Sequence, residues 1–210
     1  MSEKTTLGRL PERGVEDRAT IDAILDEGLV CHVAYVTDGR PVVLPTLYAR
    51  EGHRVLLHGS NSMGLAKAIR SGSPLSVAVT HFDGLVVARS AFNSSANYRS
   101  VVIHGQGEIL EDGEKEEALN FLIERLIPGR LGDIRPSTRA EIRQTSVIAL
   151  SLDEVSAKAR AGGPNDEESD LDLDTWAGVL PFFTVVGDPQ AAPDLRPGIE
   201  TPDYLRSFRR

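Results

Sequence analysis

The chain has 210 residues, 40% of them apolar and 26% charged, with a net charge of −8. That length suits one ordinary domain with extensions and supplies enough apolar side chains for a sizeable core. The composition argues against electrostatic steering toward nucleic-acid phosphates and holds no membrane-spanning apolar run; the polar opening MSEKTTLGRLPERG lacks the apolar segment of a secretory signal, so none is expected there.

Cys31 is the only cysteine, so no intramolecular disulfide is available and a cytoplasmic setting is expected. Residues 1–17 read as an arm, broken by Gly8, Pro11 and Gly14. It is expected to be a disordered tail or a segment packed on a partner subunit. Residues 17–27 form a short helix, with Ile21, Ile24 and Leu25 on one face, Asp17 near its start and Gly28 ending it. A hairpin follows: 29–37 is rich in strand formers, Asp38-Gly39 turns the chain, and 42–50 returns. Pro45 cannot donate to a ladder, which puts that strand at an edge or at a bulge. Residues 54–59 are a third strand. In 61–71, Met63, Leu65, Ala66 and Ile69 change the period to helical, and Ser60 or Ser62 is available as a cap.

Residues 75–82 and 85–91 read as two strands joined by a turn at Asp83-Gly84. A polar joint, 93–100, then leads to a strand over 101–111. It carries Tyr98, Arg99 and Ser100, which together suit an anionic aromatic ligand. Residues 112–127 are an amphipathic helix through Ala118, Leu119, Leu122, Ile123 and Leu126, closed by Pro128-Gly129. A short helix at 136–144 precedes strands at 145–152 and 155–160. The acidic stretch 162–174 is long for a loop, so it is read as a lid or as a segment laid over a neighbour. Trp176 opens a last strand, 176–186, and 189–210 is an extended, proline-rich tail. Hairpins at this density predict a mainly β protein, an antiparallel barrel with inserted helices. Three segments result: an arm (1–17), the barrel domain (18–188) and the tail (189–210).

Three clusters are able to carry chemistry. His58-Gly59-Ser60-Asn61-Ser62 with Lys67 places hydroxyls and a cation at a strand-to-helix corner, where an anion is favoured; an ordinary capped helix is the plain alternative. Tyr98-Arg99-Ser100 is either a ligand contact or a surface cation–π pair. Trp176, beside Gly178, is either core or a close-approach contact. The five histidines show no metal-ligand spacing with Cys31 or with carboxylates. No G-x-x-x-x-G-K, no G-x-G-x-x-G after a strand and no G-x-S-x-G occurs.

Taken in order, VLLHGSNSMGLAKAI (55–69), DGLVVARSAFNSSANYRSVVIHGQGEI (83–109), PGR (128–130), AKARAGGPNDEESD (157–170) and WAGVLPFFTVVGDP (176–189) resemble the flavin-binding split-barrel family related to pyridoxamine 5′-phosphate oxidase. The nearest branch is that of flavin-nucleotide-binding and nitroimidazole-resistance proteins. The resemblance implies a Greek-key-like antiparallel split β-barrel that forms a homodimer, with FMN in a groove between subunits. It implies that Pro45 and Thr46 line the isoalloxazine edge, and that His58, Gly59 and Ser60 pass beside the ring and ribityl chain. Ser62 and Lys67 would approach the phosphate. Tyr98, Arg99 and Ser100 would serve the other side, with Trp176 arriving from the partner. Met63-Gly64 stands where the oxidases carry a basic pair, and the ending YLRSFRR lacks their substrate-binding terminus, so pyridoxamine phosphate is not the expected substrate. Three functions follow from the resemblance: an FMN-dependent oxidoreductase of a small molecule, a non-enzymatic carrier of flavin, haem or F420 with His58 or His81 as haem ligand, and a nitroreductase. No nucleic-acid or membrane partner is expected.

Overall fold

The computed structural model describes residues 8–209. Nine strands, β1 (Val30–Thr37), β2 (Arg40–Glu51), β3 (Arg54–Ser60), β4 (Pro74–Val87), β5 (Ser95–Gln106), β6 (Glu108–Leu110), β7 (Thr145–Ser151), β8 (Glu154–Arg160) and β9 (Gly178–Pro181), form one curled antiparallel sheet. Their order is β6-β7-β3-β2-β1-β4-β5-β8, with β9 pairing the outer half of β4. Five helices accompany them: α1 (Arg18–Glu27), α2 (Gly64–Arg70), α3 (Asp112–Leu126), α4 (Arg139–Gln144) and α5 (Asp203–Arg206). This is the split-barrel arrangement expected from the sequence.

The split lies in β2. Its first eight residues, Arg40 to Leu47, pair with β1, and Tyr48 to Glu51 pair with β3. Pro45, opposite His32, therefore sits where the strand's other side has no ladder to lose, which is why a proline is tolerated mid-strand. Alternation sorts the side chains. Cys31, Val33 and Tyr35 of β1, Leu75, Val77 and Val79 of β4, Val101 and Ile103 of β5 and Val55 and Leu57 of β3 point into one core, closed by Ile21, Ile24 and Leu25 of α1. A second cluster lies on the opposite face of β3 and β7, where Ala118 and Leu122 of α3 meet Leu56, Val147 and Ala149. Burial pushes the Cys31 thiol up to about 12, so it is an inert core group.

Three sequence expectations change. Asp83-Gly84 is a bulge inside the continuous strand β4, not a hairpin turn; the register shifts between Phe82 and Gly84. The polar joint is mostly strand, because β5 begins at Ser95 and the connection is 88–94. The last strand shrinks to Gly178–Pro181, the four residues that find a partner edge on β4. The end of the arm is fastened to its own chain: Val15 N–H donates to Ala157 O (3.0 Å), and Lys158 Nζ donates to Arg9 O (2.6 Å). Residues 1–7 of that arm lie outside the described residues. The tail is extended only to its last turn, where α5 forms and Tyr204 accepts from Arg130 Nη1 at 3.0 Å.

Buried Tyr48, at the point where β2 changes partners, donates from its hydroxyl to Leu25 O at the end of α1 (2.5 Å). Replacing Tyr48 with Phe strands that buried carbonyl, and chemical denaturation is expected to show a loss of about 1–2 kcal/mol.

Candidate cofactor site

The site grows out of a half-covered sheet. Among the described residues, no helix lies over the face of β2, β1, β4, β5 and β8 that turns away from the core. In register it carries rows of small or polar side chains: Val43, Ala34, Ser76 and His104 in one row, and Pro45, His32, Ala78 and Val102 in the next. Ser76 Oγ and His104 Nδ1 are hydrogen-bonded at 2.8 Å. Val30, Val36, Val43, Leu47 and Phe82 stand exposed on these strands, more apolar surface than a solvated strand face needs. Beyond the bulge, Phe82 meets Phe182 edge-on, with centroids 5.0 Å apart.

Of the sequence-derived residues, Pro45 and Ser100 belong to this uncovered face, and alternation puts Tyr98 there as well. Thr46 and Arg99 do not share it. Each is adjacent in sequence to a face residue, so alternation turns it to the core side. Arg99 lies beneath α1 and is fully engaged there. Its Nε and Nη2 donate to Asp83 (3.0 and 2.8 Å), Nη2 also to Glu27 (2.9 Å), and Nη1 to the other Glu27 oxygen. That pairing holds the Asp83 and Glu27 carboxyls below their usual range and raises Arg99 further. His81 is beside it, its Nε2 2.9 Å from Ile24 O. Arg99 is thus a strut between α1 and the β4 bulge, and Arg99 and Ser100 do not approach a ligand from one side.

The second group sits at the end of β3. Asn61 ties this corner down: its N–H donates to Gln144 O (3.0 Å), its side-chain amide donates to Arg143 O, and its Oδ1 accepts from buried Ser146 (2.5 Å). Ser60 and Ser62 remain exposed, their hydroxyls 3.0 Å apart. Neither caps α2, whose cap position is Met63 with no side-chain bond. Lys67 is exposed one turn along and makes no ion pair among the described residues. The Met63 thioether lies where a Gly59 Cβ would be, 2.3 Å away, so a larger residue at 59 would require that flexible side chain to move.

His58 turns the other way, onto the α3 side of the sheet. It lines a cavity of about 340 Å³ with α3 and the segment leading to α4. Its Nδ1 is buried without a partner, and burial lowers the ring's pKa. Trp176 is 67% exposed, its ring against Gly178 at the start of β9. The structure therefore gathers Ser60, Ser62 and Lys67 at one corner and Pro45, Tyr98 and Ser100 on one face, and it sets His58 in a separate cavity. The acidic stretch 162–174 is pinned rather than free. Asp166, its side chain 2% exposed, accepts from both the backbone and the guanidinium of Arg89 at 2.8 Å. Sequence reasoning missed that pair, and it also missed the cavity wall at 131–142.

The model of the family described as pyridoxamine 5′-phosphate oxidase matches residues 17–159. No curated protein matches. Among solved structures, the flavocytochrome Anf3 from Azotobacter vinelandii is 38% identical over 99% of this chain and 97% of its own, with a TM-score of 0.95. The FAD and heme binding protein from Mycobacterium smegmatis is 39% identical, over 92% of this chain and 96% of its own, with a TM-score of 0.89. A putative 5-nitroimidazole antibiotic resistance protein from Bacteroides thetaiotaomicron shares the fold at 20% identity, over 69% and 85% of the two chains, with a TM-score of 0.59.

The Arg99 strut sets a pH dependence. Asp83 and Glu27 have folded pKa values below their unfolded ones, so their stabilising contribution is complete above about pH 5 and is lost as pH falls through the folded values. Thermal unfolding of Arg99→Ala is expected to show a flatter decline than the parent between about pH 5 and pH 3. Parallel declines would show that the strut contributes nothing.

Proposed function

Because the chain belongs to the pyridoxamine 5′-phosphate oxidase family, we propose that it is a flavin-binding electron-transfer protein of flavocytochrome type. In this reading two copies meet on the uncovered sheet faces and hold the flavin between them. The observation that carries it is the uncovered face itself. A row structure of Ala34, Ala78, Pro45 and Ser100, flanked by exposed Val43 and Leu47, is flat enough for a planar ring and too apolar to be left in water. Support comes from two near-full-length relatives, one a flavocytochrome and the other a FAD and heme binding protein. The second favours FAD over FMN.

A flavin bound there supplies hydride and one-electron chemistry. The chain's own residues divide the work of holding it. Pro45 and Ser100, with Tyr98 on the same face, would contact the flavin ring. Ser60 and Ser62 offer hydroxyl donors, and Lys67 a charge, to the phosphate. Gly59 leaves room beside them once Met63 swings aside. Thr46, opposite Cys31 on the core side of β2, would lie behind the residues that face the ring. Trp176 comes from the partner subunit and shields the ring from water. Arg99 acts on the site by fixing the bulge and α1, not by touching the ligand. No side chain here is placed as a nucleophile; the proposed oxidoreductase activity is the flavin's, on a small molecule that reaches the interface.

Protein as purified is expected to be yellow, to bleach on reduction and to release FAD on acid extraction, with FMN or F420 identified by the same chromatography if present. Colourless protein that takes up none of the three contradicts the reading. Lys67→Glu is expected to weaken flavin binding at least tenfold, about 1.4 kcal/mol or more, in a fluorescence titration.

A further inference from the structure

We infer that the outer end of the uncovered face is a substrate pocket, in which His104, set by Ser76, donates a hydrogen bond to an oxygen of a flat, uncharged molecule. The inference rests on the flavin reading and adds to it the class of molecule on which the flavin would act.

The pocket follows from the strand register. Beyond the row of Pro45, His32, Ala78 and Val102, the face continues through Val43, Ala34, Ser76, His104 and Glu154. It ends with the pairs Val36–Pro41 and Pro74–Gln106. These residues line a cavity of about 720 Å³. The last pairs stand at strand ends, so the cavity opens at the rim of the sheet. In the two-copy reading that rim is the entrance. Two residues of strand span about 7 Å, so a ring lying on Pro45 borders the cavity.

His104 has a bond to give. Its Nδ1 lies 2.8 Å from Ser76 Oγ, and the two side chains make no other hydrogen bond among the described residues. A hydroxyl that donates to Nδ1 keeps the ring's proton on Nε2, where it serves an acceptor. His53, by contrast, is bonded on both nitrogens, to Arg18 at 2.9 Å and Asp153 at 2.8 Å. His104 and Ser76 are both half-buried. The pair is therefore a positioned donor on the pocket wall, with Ser76 as the positioning residue.

The rest of the lining sets the charge and shape of what enters. It holds no Lys or Arg and a single carboxylate, Glu154, which has an interaction of its own. A phosphate or carboxylate finds no counter-charge there, in contrast to the corner at Lys67. Val36, Pro41, Val43 and Pro74 supply apolar wall. One donor among apolar surfaces fits a neutral ring whose carbonyl or nitro oxygen accepts a hydrogen bond.

The test uses full-length protein whose flavin content is measured first. It is titrated calorimetrically with duroquinone and, separately, with nitrobenzene. The parent is expected to bind at least one of them, and the one bound names the oxygen that the pocket takes. His104→Leu is expected to bind that probe at least tenfold more weakly while keeping the parent's flavin content. His104→Gln retains an N–H donor and is expected to stay within threefold of the parent. Ser76→Ala is expected to weaken binding at least threefold, and Ser76→Thr, which keeps the hydroxyl, to match the parent. A parent that binds neither probe, unchanged affinity in His104→Leu, or a His104→Gln as weak as His104→Leu overturns the pocket and leaves the flavin reading intact. Protein that binds a probe through His104 but takes up no flavin contradicts the flavin reading and, with it, the substrate role. If His104→Leu does not fold, unchanged affinity in Ser76→Ala overturns the assignment.

Discussion

A β-strand has two faces, and this sheet has one continuous core to offer them. Every strand from β1 to β8 gives side chains to that core, β6 only through Ile109 at its margin, and α1 seals it at one end. The other face must be covered by something else. Over β3 and β7 that cover is α3, docked through Leu122 and Ala118. Over β1, β4, β5 and β8 no helix among the described residues supplies it. The turnover point is β2, which pairs with β1 through Leu47 and with β3 from Tyr48 onward. Pro45 lies just before that change, and Tyr48, just after it, is bonded to the end of α1.

The two candidate sites follow from the same division. Where α3 covers the sheet, it spans more width than it fills, and His58 lines the remaining cavity. Where nothing covers the sheet, small side chains in register leave a flat surface with Pro45 and Ser100 upon it. The corner at Ser60 and Ser62 lies at the end of β3, the strand that carries His58. One sheet whose outer face is half covered by its own helix and half left open thus offers an enclosed cavity and a flat surface without a second domain.

Much of this was legible in the sequence because alternation was strong. The core faces of β1, β4 and β5 and the apolar faces of α1 and α3 could be read from spacing, and Pro45 marked a strand side without a ladder. Asp83-Gly84 misled because a bulge and a hairpin turn call on the same residue types; only the Arg99 strut, sixteen positions on, distinguishes them. Arg99 and Ser100 were treated as one contact, although adjacent strand residues face opposite ways. The same rule puts His58 on the face of Leu56, and only the structure shows that α3 covers that face. The segment over residues 131–138 gave no periodic signal, so the far wall of the cavity could not be seen. Nor could the grip of Arg89 on Asp166, a contact across 77 positions that no local pattern encodes.

The central claim is that the uncovered face is a subunit interface completed by flavin. Sedimentation equilibrium of the purified protein, repeated with Ala78→Arg to place a charge in the middle of that face, tests it most directly. The account predicts twice the chain's mass for the parent, and a folded monomer without bound flavin for the variant. A parent that sediments as a single chain while retaining its flavin would contradict it.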